Sequence, residues 1–166
     1  MEVSHVKRQR MLVVVTVLTL SLIGASVVAR GGEVGGRGIR GGATTMLEGG
    51  TGSPDFVPVL TKLAFRWNGR EGNLECLAIA PSAAAGDPGS GDFDTNVMYV
   101  TGPITSGSVE GGRAVLRGNA TVTGLGAGED LPFTLIVQRG GPGTRVVLHV
   151  SGLVFNEIVL EGVIRF

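Results

Sequence analysis

The chain has 166 residues, with 14 basic against 14 acidic side chains, 29 glycines, one cysteine, one tryptophan, one tyrosine and six phenylalanines, which allows one modest domain plus extras. Glycine is far above its usual share, yet there is no G-X-Y period and Val, Leu and Ile are plentiful, so neither collagen nor wholesale disorder fits. Zero formal charge argues against a polyanion binder, nucleic acid included, and a single cysteine excludes an internal disulfide framework or a multi-cysteine zinc site.

Residues 1–29 read as an export signal. Lys7, Arg8 and Arg10 form a positive start, an apolar run follows from Met11, and no charge appears until Arg30. Val27 and Ala29 place small residues at the −3 and −1 positions of a cleavage site, so residues 1–29 are expected to be a signal peptide, with an uncleaved N-terminal anchor as the alternative. No cysteine follows the apolar run, which excludes lipid attachment through a thiol.

Residues 30–53 hold little apolar periodicity and are dense in glycine, so a flexible linker is expected there, spanning roughly 25–30 Å as a coil. Within it, Gly36-x-Gly38-x-x-Gly41 matches a dinucleotide-binding fingerprint literally, but no strand precedes it and no helix follows.

Residues 54–166 change texture to short apolar stretches with a two-residue period, broken by Gly, Pro, Asn and Asp. Leu63, Phe65 and Trp67 fall on one side of a first strand, with Lys62 and Arg66 on the other, before a turn at Asn68-Gly69. A second strand is predicted at Leu74–Ala80, followed by a loop from Pro81 to Asp92 rich in Ala, Gly, Ser and Pro. Further strands are predicted at Thr95–Thr101, Ile104–Glu110, Arg113–Gly118, Ala120–Gly124, Leu131–Gln138, Arg145–Ser151 and Ile158–Phe166. Leu131, Phe133, Leu135 and Val137 define one core face; Val146, Leu148 and Val150 another; Ile158, Leu160, Ile164 and Phe166 a third. No helical period survives beyond the signal segment. The fold class expected is therefore all-β, an antiparallel barrel or sandwich of about eight or nine strands.

Asp92-x-Asp94-x-Asn96 spaces oxygen ligands as the first half of a calcium loop does. Val97 stands where the tight-turn glycine would be and no bidentate Glu follows at the proper distance, so an acidic loop is expected, with Asp92, Asp94 and Asn96 as the candidate metal ligands. Cys76 sits in an apolar strand and reads as a buried thiol. His149 shares a face with Arg145 and Ser151, opposite the core residues, so a triad drawn through Ser151 or Ser108 with Glu157 has no local signature behind it.

The stretch Gly118-Asn119-Ala120-Thr121-Val122-Thr123-Gly124-Leu125-Gly126, followed by Pro132-Phe133-Thr134-Leu135-Ile136-Val137 and a Gly-Gly-Pro-Gly turn, resembles the repeating texture of small secreted β-rich bacterial proteins. That resemblance implies export and a compact antiparallel domain, and carries no site residue or cofactor across. The functional expectation is an exported, non-catalytic β domain acting as a structural or interaction module in the cell envelope or extracellular space. Its partner would lie there, with contact to the membrane only through the N-terminal segment if uncleaved, and Arg113, Arg117, Arg139 and Arg145 would be polar contributors to its contact surface. The alternative is a small barrel that binds an apolar ligand, as a carrier or a cyclase- or isomerase-like enzyme. It would require the small inward residues Ala114, Gly118, Ala120 and Gly162 to leave a cavity.

Overall fold

The computed structural model describes residues 38–48, 58–82 and 92–166. They form eight strands: β1 (Ile39–Leu47), β2 (Leu60–Trp67), β3 (Gly72–Pro81), β4 (Phe93–Glu110), β5 (Arg113–Gly124), β6 (Gly128–Gln138), β7 (Arg145–Val150) and β8 (Leu153–Arg165). Each strand pairs antiparallel with the next in sequence, and β1 pairs with β8, so the sheet closes on itself as an up-and-down barrel. The expected signal segment lies outside the described residues.

Two expectations are corrected. Ile39–Leu47, expected within the linker, is the strand that closes the barrel, running from Ile39 opposite Trp67 on β2 and from Arg40 opposite Arg165 on β8. Its glycines hid it, because Gly41 and Gly42 remove the apolar alternation by which strands are read. The two strands expected over residues 95–110 are one, as are the two over residues 113–124. Thr105 is an extra residue between the Ile104–Gly118 and Ser106–Arg117 pairs, and this bulge lets β4 pass Pro103 without ending.

The inward faces of β2, β5, β6 and β7 follow the strict alternation of their sequences. β8 does not. Thr44 faces Glu161 and Thr45 faces Val159, so Leu160 is an unpaired extra residue. A one-residue slip exchanges the two faces of a strand, and here it turns Val159 and Glu157 into the barrel while Ile158 and Leu160 face outward. Of the expected core face through Ile158, Leu160, Ile164 and Phe166, Ile164 is fully buried and Phe166 packs half-buried against the core, whereas Ile158 and Leu160 turn away from it.

Bulk and emptiness are matched inside the barrel. Phe65 lies opposite Gly41 and Phe133 opposite Gly118, and a Cβ at either glycine would fall on the facing ring. At Gly107 it would meet the Trp67 indole and Leu116. The small inward residues therefore make room for aromatic rings, which with Leu74, Met98, Val100, Ile104, Leu135 and Leu148 fill the interior. Gly111 and Gly112, both at positive φ (56° and 80°), make the two-residue β4–β5 hairpin turn.

Gly118→Val would drive two methyl groups against the Phe133 ring and place Cβ on the Pro103 carbonyl. The expected cost is about 2–3 kcal/mol, read as a lower denaturant midpoint at unchanged slope. An unaltered midpoint would refute the ring-over-glycine packing.

Candidate functional site

Four arginines line one rim cleft. Its walls come from the start of β1 (Gly38, Ile39, Arg40), the β2–β3 hairpin (Arg66 to Asn73), Arg139 after β6, and Arg165 with Phe166 at the end of β8; it encloses about 1020 Å³. The strand register sets the arginines side by side: Arg40 of β1 lies opposite Arg66 of β2 on one side and opposite Arg165 of β8 on the other. All three are exposed on the outer wall. Arg66 is held by its neighbour on β3, donating from Nε to Asn73 Oδ1 at 2.8 Å. Arg139 stacks over the Phe166 ring, 4.8 Å from its centre. The hairpin is fixed by Asn68, whose Oδ1 accepts the backbone N–H groups of Arg70 and Glu71 at 2.9 Å each.

Charge at this rim is unbalanced. Glu71 is the one carboxylate side chain lining the cleft. Among the described residues the one ion pair is Arg145 with Glu48, at 2.7 Å and elsewhere on the outer wall. Like charges directly opposite on neighbouring strands are destabilising. Trp67 forms part of the cleft wall, and its buried indole N–H has no acceptor among the described residues.

A second polar group lies inside the barrel. Glu157 is 5% exposed, and the buried Thr45 and Thr61 hydroxyls donate to it, Thr45 to Oε2 and Thr61 to Oε1 at 2.6 Å. Thr45 Oγ1 also lies 3.5 Å from the Thr61 carbonyl. Burial pushes the Glu157 carboxyl up from its ordinary value, and the two hydroxyls offset part of that. No cation pairs with it among the described residues. A protonated Glu157 satisfies the same contacts: Oε2–H donates to Thr45, the Thr45 proton turns to the Thr61 carbonyl, and Oε1 still accepts from Thr61. The apolar interior thus favours the protonated form of this carboxyl. Cys76 is buried and free, its thiol pushed up to about 12 by burial first and by the Glu157 carboxyl second. It is a poor nucleophile in the folded protein.

The residues singled out by sequence separate as follows. Asp92, Asp94 and Asn96 are exposed at and before the start of β4; Asp92 accepts backbone N–H groups through its carbonyl, and Asp94 Oδ1 accepts a contact of 3.4 Å from the Thr95 hydroxyl. Among the described residues no three His, Cys, Asp or Glu side chains gather as a metal site. His149 is exposed on the outer wall between Thr134 and Val154, whereas Glu157 is inside, so the triad geometry is not assembled. Ser151 Oγ donates instead to the Gly126 carbonyl at 2.7 Å. Of the four arginines expected to contribute polar contacts, Arg139 joins the rim cleft and Arg145 is engaged by Glu48. Arg113 and Arg117 lie exposed on β5 outside the cleft. Arg40 was hidden by the linker assignment, and Glu157 by the β8 bulge.

The sign of the pH effect follows from the raised carboxyl. Folding favours the protonated form, so the stability from Glu157 is complete below its ordinary value of 4.5 and is lost as pH rises toward the folded-state value. Glu157→Gln, which supplies the same donor and acceptor without a titrating proton, should lose less Tm than the parent as pH rises above 4.5. Parallel Tm curves for the two proteins would refute a raised Glu157 carboxyl. Cys76 should resist a thiol-specific reagent in buffer and react promptly in denaturant; rapid labelling of the folded protein would contradict its burial. No family model, curated protein or solved structure matches this chain.

Proposed function

We propose that the protein is an exported, non-catalytic interaction module of the cell envelope or extracellular space, and that its contact surface is the arginine-lined rim. The observation that carries this reading is the register match of Arg165, Arg40 and Arg66, which concentrates positive charge at one place on a chain with no net charge. Closure of the barrel removes free sheet edges from contention. The rings seated over Gly41, Gly107 and Gly118 weigh against an enclosed apolar ligand, because those glycines are where a cavity would have opened. Catalysis has little to draw on: the interior acid is fenced by two threonines, the nearby thiol is held protonated, and the histidine points outward.

The reading is tested by co-sedimentation of the purified protein with an isolated envelope or matrix fraction from the source organism. The parent protein should be retained, and a variant carrying Arg40→Gln, Arg66→Gln and Arg165→Gln should remain in the supernatant with an unchanged far-UV spectrum. Equal retention of the two proteins, or no retention of either, would overturn the assignment of the rim as the contact surface.

A further inference from the structure

We propose that the Arg165–Arg40–Arg66 row binds an acidic polysaccharide, a sugar chain bearing a carboxylate on successive residues. The inference rests on the rim being the contact surface and names what it takes.

Three adjacent strands each place an arginine at the same level of the outer wall. Neighbouring strands lie about 4.8 Å apart, so the row extends roughly 10 Å across the strands. The arrangement has no structural use: each neighbour repels the next, and no carboxylate pairs with any of the three among the described residues. A ligand that brings regularly spaced anions relieves the repulsion at every position. Guanidinium groups favour carboxylates because their planar fork presents two parallel N–H donors to both oxygens.

The surroundings suit a sugar chain. One layer along the wall, Gly42 and Ala64 face each other across β1 and β2. A Cβ built at Gly42 meets nothing within 4 Å, so a shallow trough runs beside the arginines. Beyond the trough, exposed Lys62 donates to Thr44 Oγ1 at 2.9 Å, while Glu75 and Glu161 line the same depression, so the cationic face is confined to the arginine row. Within the cleft, Asn68 and Asn73, whose amide oxygens are engaged, retain Nδ2–H donors for hydroxyls. Nucleic acid fits less well. Trp67, with its ring buried, offers no platform on which bases could stack.

The test is isothermal titration of the purified protein with short oligogalacturonates, and separately with neutral malto-oligosaccharides, a poly-glutamate peptide and a single-stranded oligodeoxynucleotide. Oligogalacturonate should bind, more weakly as salt rises, and the other three should not. Arg40→Gln should weaken that binding by about tenfold or more, with a Tm equal to or above the parent's, since the central repelling charge is gone. Arg40→Lys should recover only part of the affinity, because charge returns without the fork. Absence of oligogalacturonate binding, equal binding of the peptide or oligonucleotide, affinity that survives Arg40→Gln, or a lowered Tm for that variant would each overturn the proposal. Arginine-dependent retention on the envelope fraction together with no oligogalacturonate binding would leave the interaction module standing and remove only its polysaccharide ligand.

Discussion

Closure of β1 between β2 and β8 is the constraint on which the rest depends. Without it the sheet would end in two open edges, each a row of unpaired backbone groups, and the interior would be exposed along a full seam. The same strand brings Arg40 between two other arginines and delivers Thr45 to Glu157. Rim and interior acid are thus two ends of one nine-residue segment whose glycines make it look like spacer.

Those glycines are packing elements. Gly41 sits under Phe65 in a chain with few large aromatics, and Gly118 does the same for Phe133. A core of Val, Leu, Ile and Ala leaves an eight-stranded barrel short of bulk on its axis, and a few rings laid over bare backbone restore it. The literal fingerprint Gly36-x-Gly38-x-x-Gly41 is explained in the same way. Its last glycine serves a ring on the next strand rather than a phosphate.

The fold class was legible from residue 60 onward because period-two alternation is strongest where one face is buried. The sequences Leu63-Phe65-Trp67, Phe133-Leu135-Val137 and Val146-Leu148-Val150 each announce their inward face, and each is buried as read. Where alternation carries less information the strands are not legible: small residues mask β1, and a bulge reverses the parity of β8 midway. The candidate site suffered twice from this, since Arg40 lies on the masked strand and Glu157 on the reversed half of the last one. Closure itself left no local mark, because which first and last strands meet is decided by the shear of the whole sheet. One signal was present but unweighted: arginines near the end of one strand and the starts or ends of two others become neighbours once an up-and-down order is assumed.

The seam also bears on how the molecule reaches its folded state. Thr45 and Glu157 are 112 positions apart in sequence, whereas every other strand pairing joins neighbours in chain order. Because synthesis proceeds from the amino end, β1 emerges first yet must wait for the last strand before both its flanks are hydrogen-bonded. Hairpins can assemble early and cheaply, while joining the ends bears the largest loop-closure entropy. Until then the growing sheet carries a sticky flank along the side of β1 that only β8 can cover.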